Sequence, residues 1–314
     1  MARLVLFRAG MALIAMLLAA GFVFLLIHFS PTDPVVLALG DGAAPAAVEA
    51  KRRELGLDLP MPVQFVNWLG GILQGDFGTS FFTHRPVADS IVERLPVSLS
   101  LLAVGTFFVV TLGLGLGFMA GLRPNSWVDN LVTSAVSLAL ATPSFWLALM
   151  LGVVFAVHWR ILPVAGYVPL TQDPAAWLKC MLLPAFSLAL HGIAVVGRHM
   201  RGAVIDVMNA PFVEAARARG TPRGRIVRRY VLKNALLPVL PMIGVQVALL
   251  VATSAVMEKV FILPGLGTLM VDSVISSDFP MLQGAILVVA ALLITINLLV
   301  DIGLGLLDPR VRPQ

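Results

Sequence analysis

Phe212-Val213-Glu214-Ala215-Ala216-Arg217-Ala218-Arg219-Gly220 is the stretch that decides how the chain is read. It continues through Thr221-Pro222-Arg223-Gly224-Arg225-Ile226-Val227-Arg228-Arg229-Tyr230 to Lys233-Asn234-Ala235-Leu236-Leu237-Pro238. It is a long basic, helix-forming island in an otherwise apolar second half. Pro211 suits the first turn of a helix, where its missing N–H costs nothing, and Gly220 suits the stop. Thr221 is placed to cap a second short helix that opens at Pro222. Two short polar helices joined at a glycine, set between hydrophobic runs, have the character of a docking surface. The competing reading is an ordinary loop held on the cytoplasmic side by its charge, since membrane proteins place such loops there.

The rest of the composition makes the membrane setting firm. Hydrophobic residues are 59% and charged residues only 12% of 314, with a mean hydropathy of +0.94. These values lie far from those of a soluble domain. The net charge of +5 does not indicate nucleic acid, because the arginines cluster beside apolar runs and are not interleaved with aromatics. The single cysteine, Cys180, excludes an intramolecular disulfide and reads as a small buried apolar residue.

Outward from the island the chain resolves into spans of roughly the 20 residues that a bilayer needs. Arg3 and Arg8 precede an apolar run from Ala9 to Phe29, longer than the apolar region of a cleaved signal peptide, so a retained first helix is expected. Five more spans are expected at Val97–Gly121, Leu131–Val157, Leu178–Val196, Leu236–Met257 and Met281–Leu307. Between the first and second lies a mixed segment, expected to be an extracytoplasmic cap; a passive linker is the alternative. It reads as a helix from Pro45 to Leu55 stopped by Gly56, and a second from Met61 to Gln74 with Val63, Val66, Leu69 and Leu73 on one face. A turn at Gly75–Ser80 and an amphipathic segment from Val87 to Arg94 follow, ending before Pro96. The expected division is therefore 1–29 for the tail and first helix, 30–95 for the cap and 96–310 for the core, with the basic loop at 198–235. Arginines and lysines concentrate on one side of this scheme, which puts both termini in the cytoplasm.

Gly113, Gly117 and Gly121 form small-xxx-small steps that let the second span approach a neighbour. Without a βαβ context they are no nucleotide loop. Pro143, Pro184, Pro238 and Pro241 lie in or beside spans and can kink them. His191 lies mid-span, where it either lines a passage or is a neutral histidine hydrogen-bonded within the bundle; the second is the more ordinary role. No ladder of acids and histidines crosses the membrane, which disfavours a proton-relay pump. The chain carries no Gly-x-x-x-x-Gly-Lys-(Ser/Thr), no His-Glu-x-x-His and no nucleophile elbow.

Glu214-Ala215-Ala216, Gly220 four residues after Ala216, and then Leu237-Pro238 together resemble the EAA loop of the membrane subunits of bacterial ABC importers. The longer interval, with Ala216-Arg217-Ala218-Arg219-Gly220 and Lys233-Asn234-Ala235-Leu236-Leu237-Pro238, is similar to the dipeptide/oligopeptide/nickel permease branch of that family. Further elements of the family follow in order: Asp33-Pro34, Glu54 to Asp58, Gly75 to Ser80, and Thr142-Pro143-Ser144-Phe145-Trp146. Phe261 to Gly267, Asp278-Phe279-Pro280, Val300-Asp301 and Leu307-Asp308-Pro309-Arg310 complete the match, which covers nearly the whole chain.

The resemblance implies an all-α polytopic membrane protein with about six transmembrane helices. An extracytoplasmic segment would follow the first, and a cytoplasmic coupling-helix loop would lie between the fourth and fifth. It implies a pore-forming permease subunit of the bacterial inner membrane, with no catalytic site and no bound cofactor or metal; ATP and Mg belong to partner subunits. The implied partners are a second homologous permease, two ABC ATPase subunits, an extracytoplasmic solute-binding protein and membrane lipid. The coupling role falls on Glu214, Ala215, Ala216, Arg217, Ala218, Arg219 and Gly220, the small residues letting the helix sit close to the ATPase. Pro143, Phe145, Trp146 and His191 are candidates for a pore or gate, packing being the alternative for the first three. Pro264, Gly265, Gly267 and Asp278 are expected at an outer mouth, the Pro-Gly pair as a turn. Look-alike permeases carry dipeptides, longer peptides, nickel chelates, glutathione-like compounds and some sugars. A stand-alone secondary transporter or channel is the competing class; it would show broken helices in two related halves, and no internal repeat is evident.

Overall fold

The computed structural model describes residues 2–29, 34–39, 42, 44–54 and 56–307. Asp33, Leu55, Asp308-Pro309-Arg310 and Arg312 lie outside the described residues. Among the described residues the regular secondary structure is all helical, apart from one isolated bridge between Thr79 and Pro86. Five helices are long and apolar enough to cross a membrane: Leu6–Leu25, Val87–Leu122, Pro174–Met208, Leu240–Val260 and Phe279–Gly303. A sixth crossing requires Trp127–Ala141 and Ser144–His158 to be counted as one span.

That pair is the third span, expected from 131 to 157 with Pro143 able to kink it, and the bend is a full break in the helix. The two helices are bent by 107° at Thr142-Pro143. Proline has no N–H to continue the ladder and drives the residue before it into extended backbone. Thr142 accordingly has φ −94° and ψ 126°. Pro96 behaves oppositely: Val87–Phe108 runs through it without a break, so the amphipathic segment and the second span are one helix. Pro184 is likewise contained within Pro174–Met208.

The chain forms two compact units that alternate along the sequence. One comprises 1–5, 97–263 and 296–314; the other comprises 6–96 and 264–295. The first is organised on the 35-residue helix Pro174–Met208, which at ~1.5 Å per residue is about 52 Å long. The glycine steps pack on it. A β-carbon at Gly113 would lie 2.9 Å from Val196 Cγ1, and one at Gly121 would lie 2.7 Å from Val204 Cβ and 2.8 Å from the Arg201 carbonyl oxygen. At Gly117 it would collide with the Gly197 carbonyl oxygen and reach Met200 Cβ at 2.8 Å. Glycine is required here by the closeness of two backbones, as in membrane bundles, where dispersion at short range replaces the hydrophobic drive. Gly115 faces away, with nothing near its would-be β-carbon.

In the second unit a core of Val87, Ile91, Leu266, Leu269, Met281 and Ala285 is closed by Phe77 and Leu95. The expected outer loop therefore contains a helix, Leu266–Ile275. Helix Met61–Leu73 packs by its aromatic face, with Phe65 and Trp68 centroids 5.3 Å and 5.6 Å from that of Phe24. The aliphatic face expected on this helix is the outward one: Val66 is 65% and Leu73 82% exposed. Large rings buried more area per residue and won the inner face.

Gly117→Ala is expected to lower the stability of the purified protein by about 1–3 kcal/mol through overpacking. Gly115→Ala is expected to be neutral or to stabilise by up to about 1 kcal/mol from helix propensity. Thermal unfolding in one detergent compares them directly; equal losses would remove the glycine steps as the packing seam.

Candidate coupling helix and membrane cavity

The island of the opening stretch folds as helix Pro211–Ala218, then Arg223–Ile226, continuing through a wider π-helical stretch, Val227–Val231, into Leu232–Leu236. Pro211 occupies the first turn as the sequence indicates. Val213 and Ala216, one turn apart, are fully buried in this chain; Glu214, Ala215, Arg217, Ala218 and Arg219 are exposed. The amphipathic period fixes this helix on its own subunit through two apolar residues and turns the charged ones outward. Ala216 is thus an anchor in this chain and no part of the outward face, which leaves Ala215, Ala218 and Gly220 as the small residues exposed there. Arg217 also ties back, its Nη2 donating to the Met208 carbonyl oxygen at 3.3 Å.

Gly220 ends the helix for a conformational reason. Its φ is +73°, the left-handed region that a β-carbon disfavours by about 1–2 kcal/mol. The Thr221 N–H donates to the Ala216 carbonyl at 3.1 Å and the Gly220 N–H to the Arg217 carbonyl at 2.9 Å. This double bond pattern is the Schellman stop, which satisfies carbonyls that would otherwise be orphaned. Space is not the constraint, since nothing lies within 4 Å of a β-carbon built there.

Three turns before this loop, Arg201 meets Asp129. The guanidinium contacts both carboxylate oxygens, Nε to Oδ1 at 2.5 Å and Nη2 to Oδ2 at 2.7 Å. Asp129 is 1% exposed and takes a further 2.8 Å bond from the Asn125 N–H. Two parallel charge-assisted bonds match the planar fork of arginine to the carboxylate. Arg201 is therefore more than a topological charge. Asp129 was legible in principle: Ser126 caps helix Trp127–Ala141 by accepting from the Asp129 N–H, the S-x-x-D form of a capping box.

A cavity of about 330 Å³ opens in the same unit. It is lined by Thr142, Pro143, Ser144, His191, Gln246 and Thr253 beside aliphatic side chains. The structure brings Pro143 and His191 together here. Phe145 and Trp146 are not part of the lining and are 49% and 50% exposed. The reading of His191 as a histidine satisfied within the bundle is corrected: it is exposed, and among the described residues it has no hydrogen-bond partner. Elsewhere in this unit Glu258 is fully buried and accepts from the Ser98 hydroxyl at 2.7 Å. It sits just past the expected end of the fifth span, which is why it escaped the search for intramembrane charge.

In the second unit, Asp278 is 4% exposed. Its carboxylate accepts from the Ser80 hydroxyl and from the Phe81 N–H at 3.2 Å. The Gly75–Ser80 turn and Asp278-Phe279-Pro280, remote in sequence, are thus one clasp. Gly265 and Gly267 are buried with it, and only Pro264 of the four outer-mouth candidates is exposed. Three of the four residues expected at the outer mouth are thus packed inside this unit.

Residues 113–313 match a family described as binding-protein-dependent transport system inner membrane component, and residues 1–102 match the N-terminal membrane component of such systems. The chain is 39% identical over 312 residues to a provisionally named peptide transport system permease protein of Brucella abortus (strain 2308), covering 99% of both. It is 38% identical over 298 residues to the glutathione transport system permease protein GsiC of Pectobacterium atrosepticum, covering 95% of this chain and 94% of that one. With the dipeptide transport system permease protein DppB of Escherichia coli (strain K12) it shares 33% identity over 339 residues, covering 99% of each. Among solved structures, the inward-facing MetNI methionine ABC transporter aligns with a TM-score of 0.57 at 19% identity, covering 69% of this chain and 96% of that one. That likeness is one of fold.

Two predictions follow the geometry of the loop. Gly220→Ala is expected to cost about 1–2 kcal/mol, and Gly220→Asn, which tolerates the left-handed region, distinctly less. Equal damage from both, read as thermal unfolding, would show that size and not backbone governs the position. Arg201→Met is expected to cost about 3–5 kcal/mol by stranding a buried carboxylate, and Asp129→Asn added to it to recover part of that loss. A double variant no more stable than Arg201→Met alone would exclude the ion pair as the cause.

Proposed function

The chain belongs to the family of binding-protein-dependent transport system inner membrane components, and from that premise we propose that it is the pore-forming permease subunit of an ABC importer for peptides or similar small solutes. It is a multi-pass inner-membrane protein, and in this reading both termini are cytoplasmic. The cargo passes inward by alternating access. The energy comes from ATP, bound with Mg in two partner ATPase subunits, because this chain offers no phosphate loop of its own. A second, homologous permease and an extracytoplasmic solute-binding protein complete the assembly.

The observation that carries the proposal is the helix Pro211–Ala218. It is anchored inward by Val213 and Ala216 and presents Glu214, Ala215, Arg217 and Arg219 outward. It stands at the end of Pro174–Met208, separated from it by Asn209 and Ala210 alone. A push on the short helix is delivered to a rod that reaches through the unit to His191 and the cavity. ATP binding draws the ATPase subunits together, and hydrolysis releases them. The ligand shifts the population between two discrete packings by binding one of them more tightly.

The names of the relatives support a peptide-like cargo, since they speak of peptide, dipeptide and glutathione transport. The dimensions of the cavity suit one small solute or part of a larger one.

Vesicles containing the full set of subunits are expected to accumulate a labelled dipeptide or glutathione only with ATP inside the compartment that corresponds to the cytoplasm. Vesicles containing this chain alone are expected to accumulate neither. Uphill transport by this chain without a nucleotide-hydrolysing companion would overturn the proposal and favour a stand-alone carrier.

A further inference from the structure

The break in the third span sets the start of a helix inside the membrane-spanning bundle. Helix Ser144–Leu151 opens at Pro143, and no side chain caps it. The Leu147 N–H is taken by the Pro143 carbonyl at 3.1 Å. The N–H groups of Ser144, Phe145 and Trp146 precede it and have no intrahelical acceptor. Such an end carries a partial positive charge, and discontinuous membrane helices direct it at anionic groups of a solute. Pro143 and Ser144 place this end on the wall of the cavity.

An independent feature of the same wall points to a ligand. Gln246 is 5% exposed, yet among the described residues its amide nitrogen reaches only the Met242 sulfur, at 3.9 Å. A buried carboxamide with no oxygen or nitrogen partner costs free energy unless something else fills the role. His191 lines the same space, with no hydrogen-bond partner among the described residues. The Thr142 and Thr253 hydroxyls spend their protons on the Leu138 and Leu249 carbonyls, each at 2.8 Å, so they present only oxygen to the cavity. No Asp, Glu, Lys or Arg is among its described lining residues. The wall therefore offers donors from the helix end, Gln246, Ser144 and His191, with no acid to neutralise them and no fixed cation to trap an anion permanently.

We propose that this cavity is a transit subsite for a carboxylate group of the cargo, held by the uncapped start of Ser144–Leu151 together with Gln246 and His191. The inference rests on the transport reading and deepens it by naming the chemistry of the solute end that is recognised. Neutral donors suit a site that must also release. A carboxylate gains hydrogen bonds at each of them but no permanent ion pair, so binding stays weak enough for passage. His191 acts here as a specificity determinant, since it meets the solute without any bond being made or broken.

The test uses the assembled importer in lipid nanodiscs, without its solute-binding protein, so that selection upstream does not intervene. Saturation-transfer NMR measures weak binding of N-acetyl-alanine and of N-acetyl-alaninamide, which differ only in the carboxylate. The acid is expected to bind at least about tenfold more tightly than the amide. In His191→Leu and Gln246→Leu that ratio is expected to fall towards unity, and in His191→Asn, which keeps a donor, to be partly retained. Equal binding of acid and amide by the unaltered importer overturns the proposal whatever the variants do. So does a full acid preference in leucine variants that assemble and hydrolyse ATP normally. ATP-driven dipeptide uptake is measured on the same purified importer reconstituted into closed vesicles together with its solute-binding protein: uptake without acid preference in the nanodiscs sinks the subsite alone, whereas lack of uptake by the complete assembly in vesicles sinks the transport reading.

Discussion

Two helix backbones brought together by glycine are what the first unit depends on. Gly113, Gly117 and Gly121 lay one face of the second span against Pro174–Met208 so tightly that a single methyl group at the middle position would meet main-chain oxygen. Gly192 and Gly244 of the same unit are also tightly covered, but by the side chains of Val109 and Val300 and not by main-chain oxygen. Once the two are seated, the positions of Asp129 and Arg201 follow, because Arg201 contributes its carbonyl to the Gly121 contact and its side chain to Asp129. The same rod presents His191 to the cavity and is followed at its end by helix Pro211–Ala218. In hydrocarbon, where apolar side chains gain little by leaving lipid, close steric fit and satisfied polar groups are the available sources of stability.

The proline at 143 makes the complementary contribution. A continuous third span would have kept every N–H paired. By forcing Thr142 into extended backbone, Pro143 turns the chain through 107° and leaves a polar helix start where a helix middle was expected. The Thr142 hydroxyl donates to the Leu138 carbonyl, which already accepts the Thr142 N–H, so it does not replace the bonds lost at the break. What remains unpaired is concentrated on one cavity wall, and irregular backbone within a membrane is tolerable only where it faces protein or a cavity.

Much of this was readable in the residues themselves. Hydropathy and length located the crossings, the spacing of the glycines identified the packing seam, and Pro211 and Gly220 bounded the coupling helix. These are local signals, each decided within a few turns. The clasp of Ser80 with Asp278 and the pairing of Asp129 with Arg201 join residues far apart in the chain, and no periodicity encodes such meetings. Helix Met61–Leu73 was misjudged because both faces are apolar, so alternation could not tell which would be covered; ring contacts with Phe24 decided it. Gly265 and Gly267 looked like an exposed turn because Pro-Gly pairs usually are, but helix Leu266–Ile275 draws them into the core. The resemblance implies a partner contact for Ala216, whereas the helical phase shared with Val213 turns it inward.

The π-helical stretch Val227–Val231, between the coupling loop and the fifth span, has a consequence of its own. A turn of this kind holds one residue more than an ordinary helical turn and is usually found as a single bulge within an α-helix. Excising one residue there would let the segment relax to regular winding while the flanking helices kept their mutual phase. The loop is thus built to absorb a one-residue deletion without turning its two ends against each other.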